Sequence, residues 1–378
     1  LNITAGYAAP GTLNGAGFVN AAGGNVTLRN TKGAITFTAN AQQVVGNVLN
    51  VTAQNSSALN TNVNTLVANI TNNGSTLTIN EANSLTAIGT NVATNNGDIS
   101  ITLATGSLTG TGNIVAGTGN VTLNASQGGI TLNTSTGQVS GNVLNVTAKN
   151  NTALNTNVST LVANITNNGS TLTINEANSL TAIGTNVATN NGDISINLAT
   201  GSLNGFGNIV AGTGNVALNA SQGGITLNTS TSQVSGNVLT VRAQNNTALN
   251  TNVSTLVANI TNNGSTLTIN EANSLTAIGT NVATNNGDIS INLATGSLNG
   301  FGNIVAGTGN VTLVAGQGGI VLNTSAGQVS GNVLTIAAQN SVAVNTSIHT
   351  IDAIVTDASA TLTVNEWNGL DKIGRAHV

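Results

Sequence analysis

Ten carboxylates, six cationic side chains and two histidines are the groups available for acid–base work near neutral pH in 378 residues. They are few enough to place one by one. Glu81, Glu176, Glu271 and Glu366 stand 95 residues apart at one repeated position, and Asp98, Asp193 and Asp288 at another. Glycoside hydrolysis needs two carboxyl groups about 5–9.5 Å apart. Each glutamate ends an alternating segment, whereas each aspartate precedes the next one, so the two types should lie at different edges of a sheet. Asp352, Asp357 and Asp371 occur without a spacing that argues for a shared cleft. These carboxylates therefore read as solvated or turn-capping groups, as Asp193 in Asn-Asn-Gly-Asp illustrates. Lyase chemistry would need a basic residue beside clustered acids, and the central repeats offer only Lys149 and Arg242. The spacing gives His349 no nucleophile and no acid. Three or four Cys, His or acidic zinc ligands are not grouped anywhere, and the aspartate-rich nonapeptides of calcium-binding solenoids are missing. No metal or cofactor is expected, and catalysis is not.

A second kind of chemistry is surface recognition. Thr122 and Asn124, Asn145 and Thr147, Thr171 and Thr173, and Ser195 and Asn197 occupy outward positions of successive alternating segments. Stacked, they would make an uncharged ladder of hydroxyls and amides. A soluble sheet face is its plainest meaning. Adhesion to glycans is the functional one, and contact with ice through regularly spaced threonines is another. Ice binding would need Thr-x-Thr on most coils, and the clear strand examples are Thr171-x-Thr173 with its copies and Thr36-x-Thr38.

The elements that must hold such a ladder follow from the repeat. Leu-Asn-Thr-Asn-Val begins at Leu59, Leu154 and Leu249, and Val-Asn-Thr-Ser-Ile at Val344, always 95 residues on. Residues 150–216 and 245–311 are identical. One unit divides into four stretches, 208–232, 233–254, 255–275 and 276–302, each with a segment of period-2 alternation such as Ile289, Ile291 and Leu293. Such alternation marks a strand with one buried and one solvated face. Asn-Asn-Gly and Gly-Thr-Gly separate the strands and tolerate the positive φ of tight corners. No 3.6-residue apolar stripe appears, so no long helix is predicted. A β-propeller would carry periodic aromatics, and the chain has six. The reading is all-β: a single-chain right-handed parallel β-helix of about 24 residues per coil, four coils per repeat, with copies of one residue roughly 19 Å apart at about 4.8 Å per coil.

Residues 1–372 read as one continuous solenoid with units at about 1–22, 23–117, 118–212, 213–307 and 308–372. Residues 373–378, Ile-Gly-Arg-Ala-His-Val, break the composition, resemble a translated sequencing adapter and read as a non-native tail. A chain with no methionine that begins Leu1-Asn2-Ile3 reads as an internal piece of a longer product.

Composition narrows the remaining classes. Charged residues make up 4% of the chain, against about 25% in an average domain. Disorder is not expected, because Val and Ile are plentiful and there is one proline. The cations Arg29, Lys32, Lys149, Arg242, Lys372 and Arg375 are too dispersed for a nucleic-acid groove. Apolar runs of a few residues, such as Leu161-Val162-Ala163, are too short for a membrane span.

Gly119-Asn120-Val121-Thr122-Leu123 followed by Gly128-Gly129-Ile130-Thr131-Leu132-Asn133 resembles the filamentous-haemagglutinin-type exoproteins and related large adhesins of Gram-negative bacteria. Thr171-Leu172-Thr173-Ile174-Asn175-Glu176-Ala177 and Gly192-Asp193-Ile194-Ser195-Ile196 are similar to their repeat coils. The resemblance covers nearly the whole chain and rests on compositional style. It implies an extracellular or cell-surface location, an outer-membrane export partner for the parent protein, and attachment to host or environmental glycans and surfaces. The expected function is a structural stalk or fibre segment of an adhesin. The rival is a carbohydrate-active β-helix enzyme, since that fold also serves polysaccharide lyases and hydrolases.

Overall fold

The alternation seen in the sequence becomes strand after strand in the computed structural model, which describes residues 1–5, 10–231 and 233–377. No helix occurs among the described residues. The chain groups into two units: residues 1–180 with 187–190, and residues 181–186 with 191–378. Each is a parallel β-solenoid, consistent with a right-handed parallel β-helix.

In the first unit the strands Ile99–Leu103, Leu108–Gly110 and Asn113–Val115 make one coil. The chain then returns to lay Val121–Ala125 on Ile99–Leu103, in parallel and in register. Ile99, Ile101 and Leu103 thus meet Val121, Leu123 and Ala125. Those meet Leu144, Val146 and Ala148, which in turn meet Leu161, Ala163 and Ile165. None of these twelve side chains is more than 2% exposed. Burying a branched aliphatic side chain fully is worth about 1.5–3 kcal/mol, and each coil contributes several such side chains to columns shared only with its neighbours. The interior is narrow enough for aliphatics to fill it, which explains why so few aromatics are needed.

The second unit repeats this construction. Leu267 and Ile269 pack on Ile289 and Ile291, then on Val311 and Leu313, and then on Leu334 and Ile336.

The commonest spacing between register partners is 22 residues, close to the expected coil, but the pairing of Val139–Ala148 with Thr152–Ile165 spans only 17. The repeat consequently does not close on a whole number of coils. From Leu13 the partners run through Ile35, Ser57, Leu77 and Ile99. These are four coils, yet Leu108, the copy of Leu13, sits on the next strand round that last coil. Leu203 behaves identically in the second unit: its partners are Ile225, Thr247, Leu267 and Ile289, and its copy Leu298 is one strand further. With three strands per coil, one repeat is four coils and one side, so equivalent residues face different directions.

Corners follow the expected turn chemistry. Asn96 and Asn286 adopt φ of 62°, a left-handed conformation that asparagine tolerates better than most residues. The glycine after each is required for another reason: a Cβ on Gly97 would stand 1.9 Å from the Ser75 carbonyl oxygen of the preceding coil. Lys372–His377 forms a final strand on Thr350–Val355 with a shifted register. Val378, the end of the tail singled out above, lies outside the described residues.

Candidate interaction surface

Outward side chains of the first unit form two files one residue-pair apart. Thr78, Ser100, Thr122 and Asn145 make one, and Asn80, Thr102, Asn124 and Thr147 the other. The expected pairing of Thr122 and Asn124 with Asn145 and Thr147 is thus observed. The next expected rung is not in this file. Val162 and Asn164 follow Asn145 and Thr147, whereas Thr173 pairs with Ala153 on a different strand column and Thr171 precedes that strand. The 17-residue coil is the cause, because it brings Leu161–Ile165 round one strand sooner than the sequence spacing suggests. Ser195 and Asn197 belong to the second unit, where they pair with Ala217 and Asn219. The eight residues therefore do not form one ladder. The Asn124 Oδ1 is enclosed without a hydrogen-bond partner.

The second unit carries its own file of Thr268, Ser290, Thr312 and Thr335. It borders a shallow depression of about 470 Å³ whose rim includes Thr266, Asp288 and Asn310. Amide ladders run beside these files. Asn80 donates to Asn60 at 2.9 Å, Asn270 to Asn250 at 2.9 Å and Asn292 to Asn270 at 3.1 Å, each toward the preceding coil. They satisfy side-chain amides without a single charge.

The repeated glutamates are not solvated. Glu81, Glu176 and Glu271 are each 1% exposed. Glu81 accepts the Thr61 hydroxyl at 2.7 Å, the Val63 amide at 3.2 Å and the Ala82 amide at 3.0 Å. Glu271 accepts the Thr251 hydroxyl at 2.7 Å and the amides of Val253 and Asn273 at 3.1 and 3.2 Å. Burial pushes all three carboxyls above the usual range, partly offset by these donors. Their role is corner capping, from inside rather than from the surface. The aspartates cap between coils: Asp98 accepts the Asn120 amide at 2.7 Å and Asp288 that of Asn310 at 2.8 Å. Glu81 ends the strand Leu77–Glu81, while Asp98 precedes the parallel strand Ile99–Leu103. They are therefore five residues apart along the strand direction, roughly 16 Å at about 3.3 Å per residue, beyond the range for glycoside hydrolysis.

Sequence spacing missed the partner of His349. Its Nδ1 lies 3.0 Å from Asp371, one coil on, and both side chains are largely exposed. Among the described residues no three His, Cys, Asp or Glu side chains are grouped to hold a metal, and no helix is long and apolar enough to cross a membrane.

No family model, curated protein or solved structure matches this chain.

Proposed function

We propose that this chain is a structural segment of a secreted or cell-surface adhesin of the filamentous-haemagglutinin type, supporting attachment without catalysing a reaction. The observation that carries the proposal is the combination of sealed aliphatic columns with an outer face of threonine, serine and asparagine. Such coils can be multiplied by duplication, because each contacts only its neighbours, and uncharged outer residues avoid the like-charge repulsion that stacking would cause. The depressions are shallow, and the carboxylates at the repeated Glu and Asp positions are spent on capping backbone amides. Outward-facing, mostly half-buried files of hydroxyls and amides suit weak contact with glycan-coated surfaces. Export across an outer membrane, with a partner there, belongs to the same proposal.

Two assays on the purified chain test it. Attachment to glycan-coated or cell surfaces, with no release of reducing ends or unsaturated sugars from a polysaccharide panel, is the expected outcome. Turnover of any polysaccharide would make the chain a carbohydrate-active enzyme instead. Thermal hysteresis would point to an ice-binding face.

A further inference from the structure

One turn of the repeat is built with more care than a passive corner requires. In the second unit Gly205-Phe206-Gly207 and Gly300-Phe301-Gly302 link neighbouring strands of a coil. The Phe206 and Phe301 side chains are 80% and 81% exposed. Two of the four phenylalanines in the chain occupy this position.

Each turn is clamped from the following coil by a glutamine with no exposed surface. The Gln233 amide nitrogen donates to the carbonyls of Gly205 and Gly207 at 2.8 and 2.9 Å. Its oxygen accepts the Thr229 amide at 2.9 Å. Gln328 holds Gly300 and Gly302 in the same way, at 2.8 and 2.9 Å. From the preceding coil, Gly184 leaves no room at Gly207, where a Cβ would stand 1.8 Å from its carbonyl oxygen. The first unit has the same clamp, with Gln138 on Gly110 and Gly112 and Gln43 on Gly15 and Gly17. The residue displayed there is Thr111 or Ala16. The scaffold is thus constant while the exposed residue changes.

We propose that Phe206 and Phe301 are carbohydrate contacts, each presenting one aromatic face on its clamped turn to the apolar face of a neutral pyranose ring. Three features select this partner. A single ring is far smaller than the roughly 800 Å² per partner that a stable protein interface covers. Charge is absent: six cations in the whole chain cannot hold phosphates or an anionic membrane surface beside these rings. The turn continues into neutral hydrogen-bonding groups, with the Ser230 hydroxyl donating to Asn208 and that of Ser325 to Asn303, each at 3.0 Å. Small-ligand contacts combine apolar or aromatic surface with a few placed polar groups, and this turn offers both in an open rather than an enclosed form. The rigid turn also lowers the ordering cost of binding. Because one repeat is four coils and one side, Phe206 and Phe301 face different directions, and they bind as independent sites.

This inference goes beyond a purely structural segment and does not depend on where the protein is exported. It is tested on the full chain by proton NMR of the phenylalanine rings while cellohexaose or maltohexaose is added to millimolar concentration. The rings of Phe206 and Phe301 should shift with one of these neutral sugars, at two sites per chain. Phe206→Ala and Phe301→Ala should each leave one site and the double variant none, with circular dichroism unchanged. Thr111→Phe should add a third site. Rings unmoved by either sugar, binding that survives the double variant, a response to dextran sulfate alone, or shifts that follow protein concentration would each overturn the assignment. None of those results would touch the structural role proposed above.

Discussion

Leu267 and Leu362 occupy the same repeat position, yet their surroundings differ, and this allows one substitution to measure what a neighbouring coil contributes. Leu267 pairs with Thr247 on one side and Ile289 on the other and has no exposed surface. Leu362 pairs with Val342 and remains half-buried. Leu→Ala at a sealed site costs about 2–5 kcal/mol, because the lost transfer energy is joined by the cavity left behind. At Leu362 only part of the side chain has left water and its site can collapse, so about 1 kcal/mol is expected from half of a full burial. Urea unfolding followed by far-ultraviolet circular dichroism would read the two midpoints, and hydrogen exchange would localise the opening, since stacked repeats unfold locally as well as globally. Leu267→Ala should lower the midpoint clearly more than Leu362→Ala and should raise exchange in Ile289–Leu293. Equal losses at the two positions would refute the claim that coils stabilise one another through shared apolar columns.

Other outcomes follow from single contacts. Gly287→Ala, which would place a Cβ 1.8 Å from the Ser265 carbonyl oxygen, should cost more than 3 kcal/mol of stability in urea titration. Gly264→Ala has open space but a φ of 74°, so about 1 kcal/mol is expected. Gln233→Ala strands the Gly205 and Gly207 carbonyls and should cost roughly 2–4 kcal/mol, seen as a lowered melting temperature. For Glu81, Glu176 and Glu271, burial raises the folded-state pKa above 4.5. The folded state then holds these protons more tightly than the unfolded one. Their contribution to stability is full below the unfolded value and is lost as pH rises through the raised value. Urea midpoints should therefore increase from pH 8 toward pH 4.5, and a decrease over that range would contradict the buried placement.

The parallel solenoid was legible because period-2 alternation and corner residues recur with a fixed 95-residue spacing, and both are local signals. The inward placement of the glutamates was missed, although strand parity marks it: Leu77, Ile79 and Glu81 share one face of their strand. A carboxylate at the end of such a series suggests a solvated turn, and what keeps it inside is a set of donors from the preceding coil, Thr61 and Val63, which sequence order does not announce. The side-step of the repeat was not legible. Val139–Ala148 and Thr152–Ile165 are long strands with Gly141-Asn142 as the one glycine-containing pair inside them, so little marks where the chain turns in a 17-residue coil. That hidden shift displaced Thr171 and Thr173 from the file to which Thr122 and Asn145 belong. The clamp on Phe206 was hidden for a similar reason, since Gln233 lies a coil away from the turn it fixes.

The register of the outer face is the feature on which both the stacked core and the surface reading stand, and a chain without cysteine allows it to be measured by disulfide trapping. In-register neighbours about 4.8 Å apart fall within the range that a disulfide spans. Three double variants are needed: Thr122→Cys with Asn145→Cys, Asn145→Cys with Val162→Cys, and Asn145→Cys with Thr173→Cys. Mild oxidation should link the first two pairs and leave the third as free thiols. A link between positions 145 and 173, or none between 145 and 162, would contradict the fold described.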